Sequence, residues 1–198
     1  MVGWSLRTFA AIDEIAEIAI VTEPMWLERM DELASPLLRG RTYRIVEGGA
    51  TRQASAYNGL RALSATCDAV LVHDGARPLV QAIDVRAGMR EVRAGRAAVL
   101  ASPVVDTIKV VEPQTNRVRA TLDRAELWGA QTPQFAMRAE LERAHARAKA
   151  DGIDVTDDVA LLEAMGIEVV VVPASAENFK VTHPSDIARA EALLGVRV

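Results

Sequence analysis

The sequence contains one cysteine, Cys67, which excludes an internal disulfide and a multi-cysteine zinc site. It lies in an Ala-Thr-Cys-Asp stretch with no histidine paired to it in sequence, which points to a structural or surface role. No apolar run approaches the roughly 20 residues that a membrane helix needs. The N-terminus lacks a basic segment followed by an apolar one, so no secretory signal is read there. Excess positive charge is also missing. The net charge of −4 provides no general attraction to nucleic acid or to an anionic membrane, so an anionic ligand must be held locally. Together these absences predict a cytoplasmic protein. Lysine is scarce as well: Lys109, Lys149 and Lys180 stand among 23 Lys and Arg residues.

The 198 residues fit one domain, large enough to bury a core. Half of them are apolar and a quarter charged, the profile of a soluble globular chain. Short apolar runs alternate with amphipathic segments. Ile18 to Val21, Tyr43 to Val46, Ala69 to Val72, Ala97 to Val105 and Val169 to Val172 read as strands. Trp26 to Leu38, Thr51 to Ala65, Ile83 to Val92 and Met137 to Ala150 read as helices. Another helix opens at Thr156-Asp157-Asp158 and stops at Gly166, and a last one starts at Pro184. Strand, loop and helix in repetition predict an α/β domain around a mostly parallel sheet. Thr107 to Leu122 breaks the rhythm, because two short β-like runs flank a polar, proline-containing turn. That pattern predicts a hairpin with little core of its own, which should pack on something else, such as a second subunit. Met1 to Phe9 reads as a helix interior, with no strand before it.

In open α/β sheets, ligands bind beyond the carboxyl ends of the strands. Several polar clusters follow such ends. Gly48 and Gly49 let the backbone come close to a flat ligand, or simply make a turn before a helix. His73-Asp74-Gly75-Ala76-Arg77-Pro78 offers a carboxylate for hydroxyls and a guanidinium fork for anions. The same pair could instead close its own loop, and His73 reads as structural. Arg124, after the hairpin, reads either as a solvated charge or as a contact. Thr156 starts a helix, and a helix N-terminus can hold phosphate. Lys180, flanked by apolar neighbours in a strand-like segment, is a candidate for a specific phosphate contact.

Taken in order, the clusters resemble the 2-C-methyl-D-erythritol 4-phosphate cytidylyltransferase family. The matches are Gly48-Gly49-x-x-Arg52-x-x-Ser55, Val72 to Pro78, Asp106-Thr107, Asp123-Arg124 with Leu127-Trp128, and Gln131-Thr132-Pro133-Gln134. Thr156-Asp157-Asp158 and Asn178-Phe179-Lys180-Val181-Thr182-x-Pro184-x-Asp186 complete the series, which spans nearly the whole chain. The resemblance implies a Rossmann-like nucleotidyltransferase domain with a protruding β-hairpin arm at residues 104–124. It implies cytidylyl transfer from CTP to methylerythritol phosphate with release of pyrophosphate, assisted by a divalent cation, Mg²⁺. It also implies a homodimer in which the arm reaches the partner's site.

Carried over by motif, Gly49, Ala50 and Ser55 would border the cytosine. Ala50 stands where the family often has an acidic residue. Asp74, Gly75 and Arg77 would meet the ribose and the methylerythritol hydroxyls, with Gly75 in place of the usual alanine. Thr132 would line the sugar-alcohol site. Thr156, Lys180 and Arg124 would hold the attacking phosphate, and Arg124 and Thr107 belong to the arm. One departure is large. The family opens with a strand and a Gly-rich loop that carries an arginine and is followed by a lysine, and no such segment stands in these 198 residues. One lost contact of that kind costs about 2.7–4 kcal/mol in a transition state. A missing strand would also leave unpaired backbone in the sheet. Two other readings therefore stand beside the first: a ribitol-phosphate cytidylyltransferase, and a folded module without catalysis.

Overall fold

The computed structural model describes residues 1–155 and 157–196. Its helices are α1 (Val2–Ala10), α2 (Leu27–Leu37), α3 (Arg52–Ala62), α4 (Ala82–Arg93), α5 (Arg138–Asp151), α6 (Val159–Glu163) and α7 (Pro184–Val196). Its strands are β1 (Glu17–Thr22), β2 (Thr42–Glu47), β3 (Ala69–Val72), β4 (Ala97–Pro103), β5 (Lys109–Val111), β6 (Val118–Thr121), β7 (Trp128–Met137) and β8 (Val169–Pro173). None of the described helices is long and apolar enough to cross a membrane.

Two groups of strands form the floor. β1 and β2 pair in parallel, from Glu17 opposite Thr42 to Thr22 opposite Glu47. The second sheet has the order β3-β7-β4-β8, with β4 parallel to β8 and β7 antiparallel to both β3 and β4. β3, β4 and β8 therefore run the same way, and β7 is reversed among them. The sheet is mostly parallel, and helices cover both of its faces.

Strand periodicity sorts the core. Val70, Ala97, Val99 and Ala136 face α3, α5 and α6, where Leu60, Leu141, Ala144 and Leu162 meet them. Their neighbours Ala98, Leu100, Phe135 and Val172 face the other way, toward Val85 and Val92 of α4 and toward Phe9 and Ile12. α4 crosses β7 closely because residue 88 is glycine: a β-carbon there would lie 2.2 Å from the Phe135 ring. A smaller core joins Leu6 of α1 and Ala34 and Leu38 of the α2 region to Ile20 of β1.

The expected elements form, with three differences. β7 was not expected, because Gln131-Thr132-Pro133-Gln134 interrupts its apolar pattern. All four residues are nonetheless buried. Gln131 donates to Ser102 and to the Ser175 carbonyl, and Gln134 accepts from two backbone amides, so their polarity is satisfied indoors. The register slips between Val99 and Ala101, so Gln131 to Pro133 bulge opposite β4. Second, Phe179-Lys180-Val181 joins no strand ladder; Val181 only donates to the Ala76 carbonyl at 2.8 Å. Third, the helix expected from Thr156 begins at Val159, and Thr156 itself lies outside the described residues.

The hairpin forms as β5 and β6, antiparallel and exposed throughout. It presents Val110, Val111, Val118 and Leu122 to solvent. Asp186, the last residue of the final motif, accepts the Thr182 and His183 amides, which fixes the entry to α7 and holds its carboxyl below the usual range.

Candidate active site

β3 ends at Val72, and the chain turns sharply through His73 to Arg77. One hydrogen-bonded series holds this turn against the β7 bulge. The Asp74 amide donates to Thr132 Oγ1 at 2.9 Å. Thr132 Oγ1 and His73 Nδ1 are 3.1 Å apart, and His73 Nε2 is 3.1 Å from the Arg77 carbonyl. The carbonyl can only accept, so Nε2 carries the proton and Nδ1 accepts from the threonine. Phe9 packs edge-on against the imidazole at 5.0 Å. Burial pushes His73 down to about 4. His73 is thus a neutral brace, the structural role its sequence context suggests.

Arg77 is locked at the other side. Its Nη1 donates to the Asn178 carbonyl at 2.8 Å, and Nη2 reaches the Ala130 carbonyl at 3.4 Å. Burial pulls its guanidinium below the ordinary value, and Asp74 opposes that shift. Asn178 is fully buried and donates to Gln131 Oε1 and to the Thr132 carbonyl, both at 2.9 Å. Two residues on, Lys180 projects over the loop, and its Nζ lies 3.2 Å from Asp74 Oδ2.

These parts enclose a hollow of about 230 Å³ lined by Arg52, Asp74, Arg77, Ala130, Gln131, Thr132, Gln134, Asp157 and Lys180. Asp74 sits amid three cations: Lys180 at 3.2 Å, Arg52 at 3.7 Å and Arg77 at 3.8 Å. With three cations and two carboxylates, the hollow offers donors for an anion and acceptors for hydroxyl groups.

The structure brings Asp74, Arg77, Thr132 and Lys180 together. Gly49 and Ala50 lie in the loop that leads into α3, and Ser55 lies in the helix's first turn. There the Gly49 amide donates to Ser55 Oγ at 3.0 Å, and Thr51 caps the helix by accepting the Ala54 amide. A β-carbon at Gly49 would meet that of Ala54 at 2.5 Å, so the loop needs glycine. Gly75 is exposed beside Val2. Thr107 and Arg124 are exposed in the arm region and do not line the hollow; Arg124 donates to the Val105 carbonyl. Residues that carried no role in the sequence also line it: Arg52, Gln134 and Asp157. Arg52 was marked by its spacing from the glycine pair. Gln134 and Asp157 likewise stand in motifs of the series, without a role of their own there.

An α/β sheet covered on both faces, with a charged hollow beyond the ends of its parallel strands, is the architecture of the Rossmann-like nucleotidyltransferase class. The family model for 2-C-methyl-D-erythritol 4-phosphate cytidylyltransferase matches residues 1–196. The chain is 41% identical over 201 residues to the enzyme of that name from Prochlorococcus marinus (strain MIT 9313), covering 100% of this chain and 86% of the relative. The crystal structure of the enzyme of that name from Thermus thermophilus aligns with a TM-score of 0.80 at 36% identity, over 98% of this chain and 88% of that one. The 4-diphosphocytidyl-2C-methyl-D-erythritol synthase of Anaerococcus prevotii DSM 20548 aligns with a TM-score of 0.89 at 28% identity, over 98% and 85%. The chain belongs to the 2-C-methyl-D-erythritol 4-phosphate cytidylyltransferase family, a family of nucleotidyltransferases.

Proposed function

We propose that this protein transfers a cytidylyl group from CTP to 2-C-methyl-D-erythritol 4-phosphate and releases pyrophosphate. The observation that carries this reading is the convergence of Asp74, Arg77, Thr132 and Lys180, distant in sequence, on one hollow. A phosphate oxygen of the acceptor attacks the α-phosphorus of CTP in line. The new P–O bond forms as the α–β bridge breaks and pyrophosphate leaves. Such chemistry needs positioning and charge neutralisation, and no covalent enzyme intermediate.

Thr156, Lys180 and Arg124 hold the attacking phosphate in this reading. Asp74, Gly75 and Arg77 meet the ribose and the acceptor hydroxyls. Thr132 Oγ1 accepts from the Asp74 amide and donates a hydrogen bond to His73 Nδ1, which leaves it a lone pair to accept a hydroxyl of the sugar alcohol. Gly49, Ala50 and Ser55 border the base. Arg124 and Thr107 act on a partner's site in a homodimer. The exposed valines of the arm and the absence of Arg124 from the hollow's lining support that arrangement.

A divalent cation would screen the triphosphate. Among the described residues no three His, Cys, Asp or Glu side chains are grouped to hold a metal ion, and Asp74 is already matched by three cations. These donors do not fit a protein-built metal cage. Mass-spectrometric detection of methylerythritol linked to cytidine through a diphosphate, after incubation with CTP, Mg²⁺ and methylerythritol phosphate, tests the function. Product with ribitol 5-phosphate alone, or no pyrophosphate with either acceptor, overturns it.

A further inference from the structure

Behind the hollow stands a buried polar cluster to which the proposed roles assign nothing. Asp158 precedes α6, and His145 lies on α5; their side chains are 3% and 2% exposed. Arg52 Nη2 donates to Asp158 Oδ2 at 2.8 Å, and His145 Nε2 lies 3.5 Å from Asp158 Oδ1. Tyr57 stacks on His145, with ring centroids 5.3 Å apart. Gln134 Oε1 accepts the amides of Asp158 and Val159 at 2.8 and 3.1 Å, which ties this corner to β7. Burial raises the Asp158 carboxyl, but His145 and Arg52 outweigh it and hold the carboxyl below the usual range.

The guanidinium of Arg52 faces two ways. One edge is bound to Asp158, while Nε lies 3.7 Å from Asp74 Oδ1. Nη1 is buried without a hydrogen-bond partner. In the free protein the nearest cation to Asp74 is Lys180, whose side chain is 45% exposed. In the reading above, the acceptor phosphate draws Lys180 away from that carboxylate. Arg77 is tied through Nη1 and Nη2 to two backbone carbonyls, which leaves only its Nε, 3.8 Å from Asp74 Oδ2, toward the carboxylate. Arg52, clamped through Nη2 by the buried Asp158 carboxylate, keeps Nη1 without a partner and Nε toward Asp74, and can take over.

We propose that Arg52 is a positioning residue: held by Asp158, it keeps the Asp74 carboxylate aimed at the ligand hydroxyls once Lys180 has turned to phosphate. The proposal rests on the reading above in which Lys180 binds the acceptor phosphate. A lone positive charge would balance Asp74. Only a planar fork with two usable edges can grip Asp158 and Asp74 together.

Steady-state kinetics with CTP and methylerythritol phosphate, together with melting curves, test it on Arg52→Gln, Arg52→Lys, Asp158→Asn and the Arg52→Gln/Asp158→Asn double variant. Arg52→Lys keeps a cation beside Asp158 and should melt near the wild-type temperature. It should still lose about ten- to hundredfold in kcat/KM, the scale on which misplaced reacting groups act. The double variant should be no slower than the slower single variant, because Asp158 acts through Arg52. Multiplicative losses, or an Arg52→Lys enzyme with full kcat/KM, overturn the proposal.

An NMR measurement on the ligand-free protein decides the arrangement even if the wild type turns nothing over, the outcome that would sink the catalytic reading instead. The Arg52 Nε–Hε resonance should shift and exchange more slowly in Lys180→Ala, as Arg52 closes on Asp74. It should lose that protection when Asp158→Asn is added. A resonance indifferent to both substitutions overturns the proposal.

Discussion

Lys180 Nζ lies 3.2 Å from Asp74 Oδ2, so the lysine that lines the hollow is paired with its central carboxylate before any ligand enters. The pair is partly exposed, and such pairs contribute only about 0–1 kcal/mol to stability. Lys180→Ala should therefore melt within about 2–4 °C of the wild type, as expected for a loss of that size in a chain of this length. Its KM for methylerythritol phosphate should rise steeply, with the KM for CTP moving less. Initial rates with each substrate varied in turn measure the split, and equal changes in both constants would argue against a phosphate contact.

The arm predicts complementation. Lys180→Ala and Arg124→Ala should each be slow alone. If Arg124 works in the partner's site, a mixed dimer holds one site with both residues intact and one with neither. Mixing the two variants under exchanging conditions should restore roughly a quarter of wild-type activity, since half the dimers are mixed. Absence of recovery, in a sample shown by ultracentrifugation to contain mixed dimers, would place Arg124 in its own protomer's site or outside it.

His73 sets an acid dependence of stability. Its folded value is depressed to about 4, against an ordinary value of 6.5. Between those values the unfolded chain binds a proton that the native protein refuses. Stability is therefore full above about pH 6.5, declines as pH falls toward about 4, and is flat below that as far as this group is concerned. The integrated loss is about 3 kcal/mol. Urea unfolding at intervals from pH 7 to pH 4 reads the slope, and His73→Gln should flatten it. An unchanged slope in that variant would assign the dependence to other groups.

Gly88 should resist alanine and Gly75 should tolerate it. A β-carbon at 88 would strike the Phe135 ring at 2.2 Å, inside the core, and overpacking of this kind costs about 1–3 kcal/mol. At 75 the nearest atom, Val2 Cγ2, is 3.4 Å away, which is ordinary contact. Thermal melts of Gly88→Ala and Gly75→Ala compare the two directly. A neutral Gly88→Ala would mean that α4 shifts on the sheet with little resistance.

Much of the α/β layout was legible because apolar runs of four to seven residues and helical spacing are local signals. β7 was not. Its Gln131, Thr132 and Gln134 look like loop residues until their partners from β4, α6 and the segment around Asn178 are in place. Phe179 to Val181 misled in the opposite sense: its apolar alternation suggested a strand, yet it makes one backbone bond to Ala76 and no ladder. Asp74, Arg77, Thr132 and Lys180 could be singled out by residue type and motif. Arg52 carried the same motif but acquired meaning only when Asp158, 106 positions away, met it.

The sequence by itself determined the alternation of strands and helices, the polar turns at the strand ends, the exposed hairpin and the ordered motifs of the family, since all of these are written in spacings of a few residues. The tertiary structure decided which charges face one another. Pairing energy depends on distance and burial, and neither is encoded locally: Lys180 on Asp74, Arg52 between two carboxylates, and His73 kept neutral between Thr132 and the Arg77 carbonyl arise only when β3, the β7 bulge, α6 and the Asn178 loop close on one hollow.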